Sequence, residues 1–124
     1  MNRTHLFFAV LAALSISGAS CAKAAPGDAG ESITVNGVSR TYVLHVPDGL
    51  IGPAPLVLSF HGHGGDGASQ ARLTGFDALS DRDRFIVAYP DGIDRAWNDG
   101  RPVNAKGPDD LGFAAALVDD LKHR

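Results

Sequence analysis

The sequence predicts an α/β fold that opens on an antiparallel hairpin and continues as a parallel β-α-β unit with a further helix. Three observations carry that reading. Asn36-Gly37 stands between two alternating polar/apolar runs, the strongest short-range signal of a two-residue hairpin. Leu56-Val57-Leu58-Ser59-Phe60 and Phe85-Ile86-Val87-Ala88-Tyr89 are almost continuously apolar, as strands buried on both faces of a parallel sheet are. Residues 68–84 lie between them and have helical length, enough chain for the right-handed crossover that joins parallel strands.

In chain order, Ser32-Ile33-Thr34-Val35 is the first hairpin strand and Arg40-Thr41-Tyr42-Val43-Leu44-His45-Val46 its partner, with Tyr42, Leu44 and Val46 on one face. Pro47-Asp48-Gly49 and Gly52-Pro53-Ala54-Pro55 are turns. The first apolar strand runs directly into His61-Gly62-His63-Gly64-Gly65-Asp66-Gly67. So much glycine points to a close approach by main chain rather than side chain. The following helix places Leu73, Phe76 and Leu79-Ser80 near helical spacing, with Gly75 as a weak point. After the second apolar strand come Pro90-Asp91-Gly92 and a polar loop at 93–108 holding Trp97-Asn98-Asp99. Asp109-Asp110 then opens a last helix, where an Asp side chain and its charge suit the free N–H groups.

Composition excludes several classes. The chain has 124 residues, 44% hydrophobic and 20% charged, which bounds it to one ordinary domain. A mean hydropathy near zero excludes a polytopic membrane protein. With 11 basic against 14 acidic residues, net charge −3, it lacks the positive charge a nucleic-acid partner demands. A single cysteine, Cys21, forms neither an internal disulfide nor a Cys-rich zinc site.

Residues 1–24 read as a signal peptide. A polar start with Arg3 precedes an 11-residue apolar run, Leu6 to Ile16, shorter than the roughly 20 residues a bilayer span requires. Ala22-Lys23-Ala24 supplies a small-x-small cleavage pattern. The rival reading takes Gly18-Ala19-Ser20-Cys21 as a lipobox with Cys21 lipidated, the one route by which this chain would meet a membrane; a retained N-terminal helix is the third. The expected location is therefore secreted or periplasmic, with a lipid anchor as the alternative. Residues 25–31 read as a flexible leader, leaving 32–124 to fold.

Four stretches together resemble the secreted polyhydroxybutyrate depolymerase / feruloyl esterase family of α/β-hydrolases. They are Arg40-Thr41-Tyr42-Val43-Leu44-His45-Val46-Pro47, Pro55-Leu56-Val57-Leu58-Ser59-Phe60-His61-Gly62, Phe85-Ile86-Val87-Ala88-Tyr89-Pro90-Asp91-Gly92, and Trp97-Asn98-Asp99 with Asp109-Asp110-Leu111-Gly112-Phe113. The resemblance spans about residues 32–124. It implies an exported serine carboxylic ester hydrolase without a cofactor, acting on polyester, feruloyl or acetyl esters. It further implies that the backbone N–H of His63 serves the oxyanion, with Gly62 and Gly64 shaping the turn. Trp97, Asn98 and Asp99 become candidates for the substrate cleft.

In that family a strand with a Gly-x-Ser-x-Gly elbow follows, and the acid and histidine come later. The 124 residues reach none of the three. The expectation is a partial α/β-hydrolase sheet, inactive as given, with the strand at 56–60 left as an apolar edge. A non-catalytic exported or lipid-anchored remnant is the alternative from another class. A metal-dependent hydrolase using His61, His63 and Asp66 is a third, although Asp66 falls one position late and Gly67 stands where a further histidine belongs. Ser69 sits in Gly67-Ala68-Ser69-Gln70-Ala71, nine residues past Phe60, and reads as a helix-start residue rather than a nucleophile. His61 reads as a residue holding its loop, and Asp109 or Asp110 as a cap. His45 and His123 read as ordinary surface residues.

Overall fold

A computed structural model describes residues 29–101 and 106–124. The expected signal segment, with Cys21, and residues 25–28 of the expected leader lie outside the described residues. Eight elements follow in order: β1 (Ala29–Val35), β2 (Val38–His45), β3 (Leu56–Leu58), α1 (Gly67–Thr74), α2 (Phe76–Asp83), β4 (Ile86–Pro90), a 3-10 turn (Ile93–Arg95) and α3 (Asp110–Lys122). They make a mixed α/β fold around one four-stranded sheet of order β1-β2-β4-β3.

The hairpin forms where Asn36-Gly37 predicts it. Asn36 (φ 51) and Gly37 (φ 78) both take left-handed backbone, the geometry that matches strand twist, and Val35 closes the turn opposite Val38. The antiparallel register then runs to Ala29 opposite Leu44. β1 therefore takes in residues 29–31, which the sequence reading assigns to the leader. Their backbone groups find ladder partners on β2, and the Glu31 carboxylate accepts the Tyr42 hydroxyl at 2.9 Å.

β4 inserts between β2 and β3. It runs antiparallel to β2, with Val43 opposite Tyr89, and parallel to β3, with Val57 opposite Val87. The expected parallel pair is thus present. β3 is shorter than the apolar run because the chain turns off after Ser59 N–H donates to Ala88 O at 2.9 Å. It is an edge strand, as expected of residues 56–60.

Alternation along the strands supplies two cores. Tyr42 and Ala88 face Phe113 and Leu117 of α3, with Leu44, Leu56 and Leu58 packed around them. Val87 and Tyr89 face the other way onto Ala71 of α1, with Val43, Phe76 and Phe85 alongside. The helix expected at 68–84 is two helices. Gly75 takes φ 62, ends α1 through its N–H to Ala71 O (3.1 Å) and starts α2. The break resets the buried faces to Gly67 and Ala71, then to Ser80 with Phe76 beside it. Leu73 is consequently 81% exposed rather than inward. Among the described residues no helix is long and apolar enough to cross a membrane.

Candidate functional site

β3 and β4 are parallel, so the loops that leave their C-terminal ends lie side by side. This is where open α/β sheets gather ligands. The first loop is 59–66, ahead of α1; the second is 91–98, after β4. Several hydrogen bonds sew them together.

His61 is 4% exposed and belongs wholly to this stitching. Gly92 N–H donates to its Nε2 at 3.0 Å, which leaves the ring proton on Nδ1, 2.7 Å from Gly62 O. The Trp97 indole N–H donates to His61 O at 2.9 Å. The Trp97 ring lies 5.0 Å from the His61 ring and meets Phe60 edge-on, at 5.0 Å and 80°. His61 thus has no free ring nitrogen for a metal or a proton transfer, and it holds its loop as the sequence reading has it.

Asp91 anchors the second loop to the first. One carboxylate oxygen accepts Gly67 N–H at 2.6 Å and the other the Thr41 hydroxyl at 2.7 Å. Position 67 must be glycine, because a Cβ there would stand 2.3 Å from Tyr89 O. Asp66 caps α1 by accepting Ser69 N–H at 2.7 Å, while its own N–H donates to the Ser69 hydroxyl at 3.0 Å. The Ser69 N–H holds the Asp66 carboxyl below its ordinary range. Ser69 is therefore a cap residue here, as read from sequence.

At the exposed tip of the glycine turn, the Gly62 and His63 amides have no acceptor among the described residues, while the amides that follow are bonded. Gly64 takes φ 80, a conformation that favours glycine, and its N–H donates to Arg95 O at 2.8 Å. Gly65 N–H donates to Gly62 O at 3.0 Å. Gly62 has neither a left-handed φ nor a crowded Cβ position; its part in the turn is that carbonyl. His63 lies between these pinned peptides and is exposed. Among the described residues nothing accepts from its N–H.

The expected cleft residues divide. Trp97 is half-buried against Phe60 and His61. Asn98 is structural: its N–H donates to Asp110 Oδ2 at 2.6 Å and its side-chain amide to Pro108 O at 3.1 Å. Asp99 pairs with Arg101 at 2.5 Å on the surface. A shallow cavity of about 180 Å³ is lined by Trp97 and Asn98 with Ile93, Asp94 and Pro108; His63 is not on its wall.

The doubled aspartate also divides. Asp109 is the N-cap of α3, accepting Gly112 N–H at 2.8 Å. Asp110 is buried and pairs with buried Arg40 at 2.7 Å, while the Arg40 guanidinium lies 4.0 Å above the Phe113 ring. Sequence reasoning passes over Arg40, although a charged residue in phase with Tyr42 and Leu44 is a signal that could have marked it. His45 corrects the surface reading. It is only 9% exposed, its Nε2 lies 2.8 Å from Asp81 Oδ1, and Asp77 beside it accepts the Tyr89 hydroxyl at 2.6 Å. β2 turns His45 toward α2, so a polar residue on a half-buried strand is covered there and paired.

Among the described residues no group of three His, Cys, Asp or Glu is arranged to hold a metal. The His61–His63–Asp66 alternative thus has no assembled ligand set, since His61 and Asp66 are engaged as described. No serine hydroxyl among the described residues bonds a histidine. Ser59 accepts from Gln70 at 3.1 Å, Ser80 donates to Phe85 O, and Ser69 caps α1.

No family model matches the chain. A bifunctional acetylxylan esterase/xylanase of Neocallimastix patriciarum is 28% identical over 86 residues, which are 69% of this chain and 12% of that protein. The similarity is distant and partial. It supports an esterase-like relationship at the level of hydrolase and extends no further.

Proposed function

We propose that residues 32–124 are the oxyanion-loop portion of an exported serine carboxylic ester hydrolase of the polyhydroxybutyrate depolymerase / feruloyl esterase type, built on a partial α/β-hydrolase sheet. The reaction is acyl transfer to water through an acyl-serine. The observation that carries the reading is the His63 amide. It is exposed and unpartnered among the described residues, while the carbonyl of its own peptide, Gly62 O, and the next amide, Gly64 N–H, are fixed by hydrogen bonds. An amide held in that way suits a developing oxyanion, because its orientation is set before the charge appears.

The similarity to an acetylxylan esterase/xylanase makes acetyl esters of xylan the first substrates to test, ahead of feruloyl and hydroxyalkanoate esters. Trp97 and Phe60 would form an apolar wall at the start of the same loop, against His61. The serine, its base and its acid are not assembled among the described residues. The reading therefore gives this segment the donor and wall, with the nucleophile supplied by the rest of the sheet. Export rests on the pattern of residues 1–24, with lipidation at Cys21 as its alternative.

The test uses the natural gene product that carries this chain. His63→Pro deletes the amide hydrogen; His63→Ala keeps it. Loss of one oxyanion donor lowers kcat by about 10²–10³-fold with KM little changed. The expected result is that loss in His63→Pro and near-natural turnover in His63→Ala, with inactivation by a serine-directed phosphonate. Full-speed hydrolysis by His63→Pro, or turnover that survives the phosphonate and is abolished by a chelator, would overturn the reading.

A further inference from the structure

The loop after β4 contains two consecutive non-glycine residues in left-handed backbone, Asp94 (φ 51) and Arg95 (φ 60). Such pairs persist only where surrounding contacts over-determine them, and they cluster at functional sites. The turn is closed by Arg95 N–H to Gly92 O and Ala96 N–H to Ile93 O, both at 3.1 Å. It is tight enough that a Cβ at position 92 would stand 2.2 Å from Ala96 O. Its outward product is one carbonyl, Arg95 O, which accepts Gly64 N–H at 2.8 Å. The Arg95 side chain follows the same direction more loosely, with Nε 3.3 Å from Gly65 O and Nη2 3.4 Å from Asp66 Oδ2.

These contacts fall on the peptide that follows His63. On the preceding side, Gly62 O is fixed by Gly65 N–H and by His61 Nδ1, and His61 Nε2 is itself fixed by Gly92 N–H. Both brackets around His63 therefore lead back to residues 92–95. We infer that the left-handed turn at Asp94 and Arg95 is a positioning element, which aims the His63 amide through the Arg95 C=O···H–N Gly64 hydrogen bond. This inference rests on the esterase reading above. The contact comes from main chain, so the side chain at 95 matters chiefly through the φ it permits. Glycine takes φ 60 freely, and a β-branched residue resists it.

The experiment compares Arg95→Gly with Arg95→Val in the natural gene product. Exchange of the Gly64 amide is followed by hydrogen–deuterium measurement alongside ester turnover. Arg95→Val should free the Gly64 amide to exchange about tenfold or more faster, with exchange in β2 and β4 unchanged. It should lower kcat about tenfold at constant KM, since the amide acts on the transition state alone. Arg95→Gly should keep natural exchange and turnover, a contrast that a charge role would not produce, and the unchanged exchange in β2 and β4 separates it from a general loss of stability. Natural Gly64 exchange in Arg95→Val, or faster exchange with undiminished kcat, would overturn the inference. Where kcat survives Arg95→Val yet falls in His63→Pro, the positioning claim fails and the esterase reading stands. Full-speed hydrolysis by His63→Pro removes both.

Discussion

The buried Arg40–Asp110 pair should decide whether the β4–α3 loop is held at all. Arg40 is 4% and Asp110 8% exposed, and the two meet at 2.7 Å. Asp110 also accepts Asn98 N–H at 2.6 Å, and Arg40 also donates to Asp91 O at 3.2 Å. Asp110→Ala strands a buried guanidinium, which costs about 3–5 kcal/mol. It also orphans the Asn98 amide, at about 1–3 kcal/mol. A domain of this size has about 5–10 kcal/mol in total, so Asp110→Ala should be unfolded or nearly so in water. Asp110→Asn keeps the shape and one acceptor oxygen, and loses the charge. Hydrogen bonds to charged groups are worth about 1.5–3 kcal/mol, and about 2 kcal/mol is expected for this variant. Removing both charges as Arg40→Met/Asp110→Leu should recover much of the loss, because no isolated charge remains. Urea unfolding of Arg40→Met, Asp110→Asn, Arg40→Met/Asp110→Asn and the natural chain closes the cycle. The expected coupling is about 2 kcal/mol, little changed by salt because the pair is buried. A fall below about 0.5 kcal/mol for Asp110→Asn, or a double variant no more stable than the sum of its parts, would refute this account.

Two further outcomes follow from the same geometry. Burial first, and the hydrogen bond to Glu31 second, push the Tyr42 hydroxyl from 10.0 to about 12. Folding thus favours its neutral form. This stability is complete below about pH 10 and is lost as pH rises through about 12, by about 2.7 kcal/mol for a shift of two units. Urea midpoints from pH 9 to 12 should fall less steeply in Tyr42→Phe than in the natural chain, and equal slopes would contradict the assignment. Ser69→Ala removes half of the α1 capping box. It should cost about 0.5–1 kcal/mol in thermal unfolding and leave ester turnover intact, whereas abolished turnover in a folded variant would make Ser69 the nucleophile.

The parts of the fold legible in sequence are those set by neighbours in the chain. Asn36-Gly37 fixes its hairpin because two adjacent residues must both take positive φ. The apolar runs fix the two strands of the parallel pair because burial on both faces leaves no alternation. Gly75 is visible as a weak point, but whether it bends a helix or ends one depends on what packs against each half. Ala71 of α1 packed against Val87 and Tyr89, and Ser80 of α2 bonded to Phe85 O, decide for an end. The insertion of β4 between β2 and β3 is a choice among distant partners, and no local pattern encodes it. His45 and Arg40 escape for the same reason. Each has its partner on another element, 36 and 70 residues away, and a polar residue on a strand reads as exposed until that partner is known.

The site reading depends on contrast rather than on any single contact. A glycine-rich connection between strand and helix would ordinarily leave its amides to water, and several exposed N–H groups would then carry no meaning. Here the strand order brings the loops after β3 and β4 together, and the Gly64, Gly65, Gly67 and Gly92 amides are each consumed by a named acceptor, which leaves the adjacent Gly62 and His63 amides of the turn open. The side chain that could have turned this loop into a metal site, His61, is consumed as well. With Gly62 O and Gly64 N–H both held, the backbone around His63 has little entropy left to lose when it meets a charge. The His63 amide can therefore act on an oxyanion without reorganisation, which is the property that separates a catalytic donor from an incidental one.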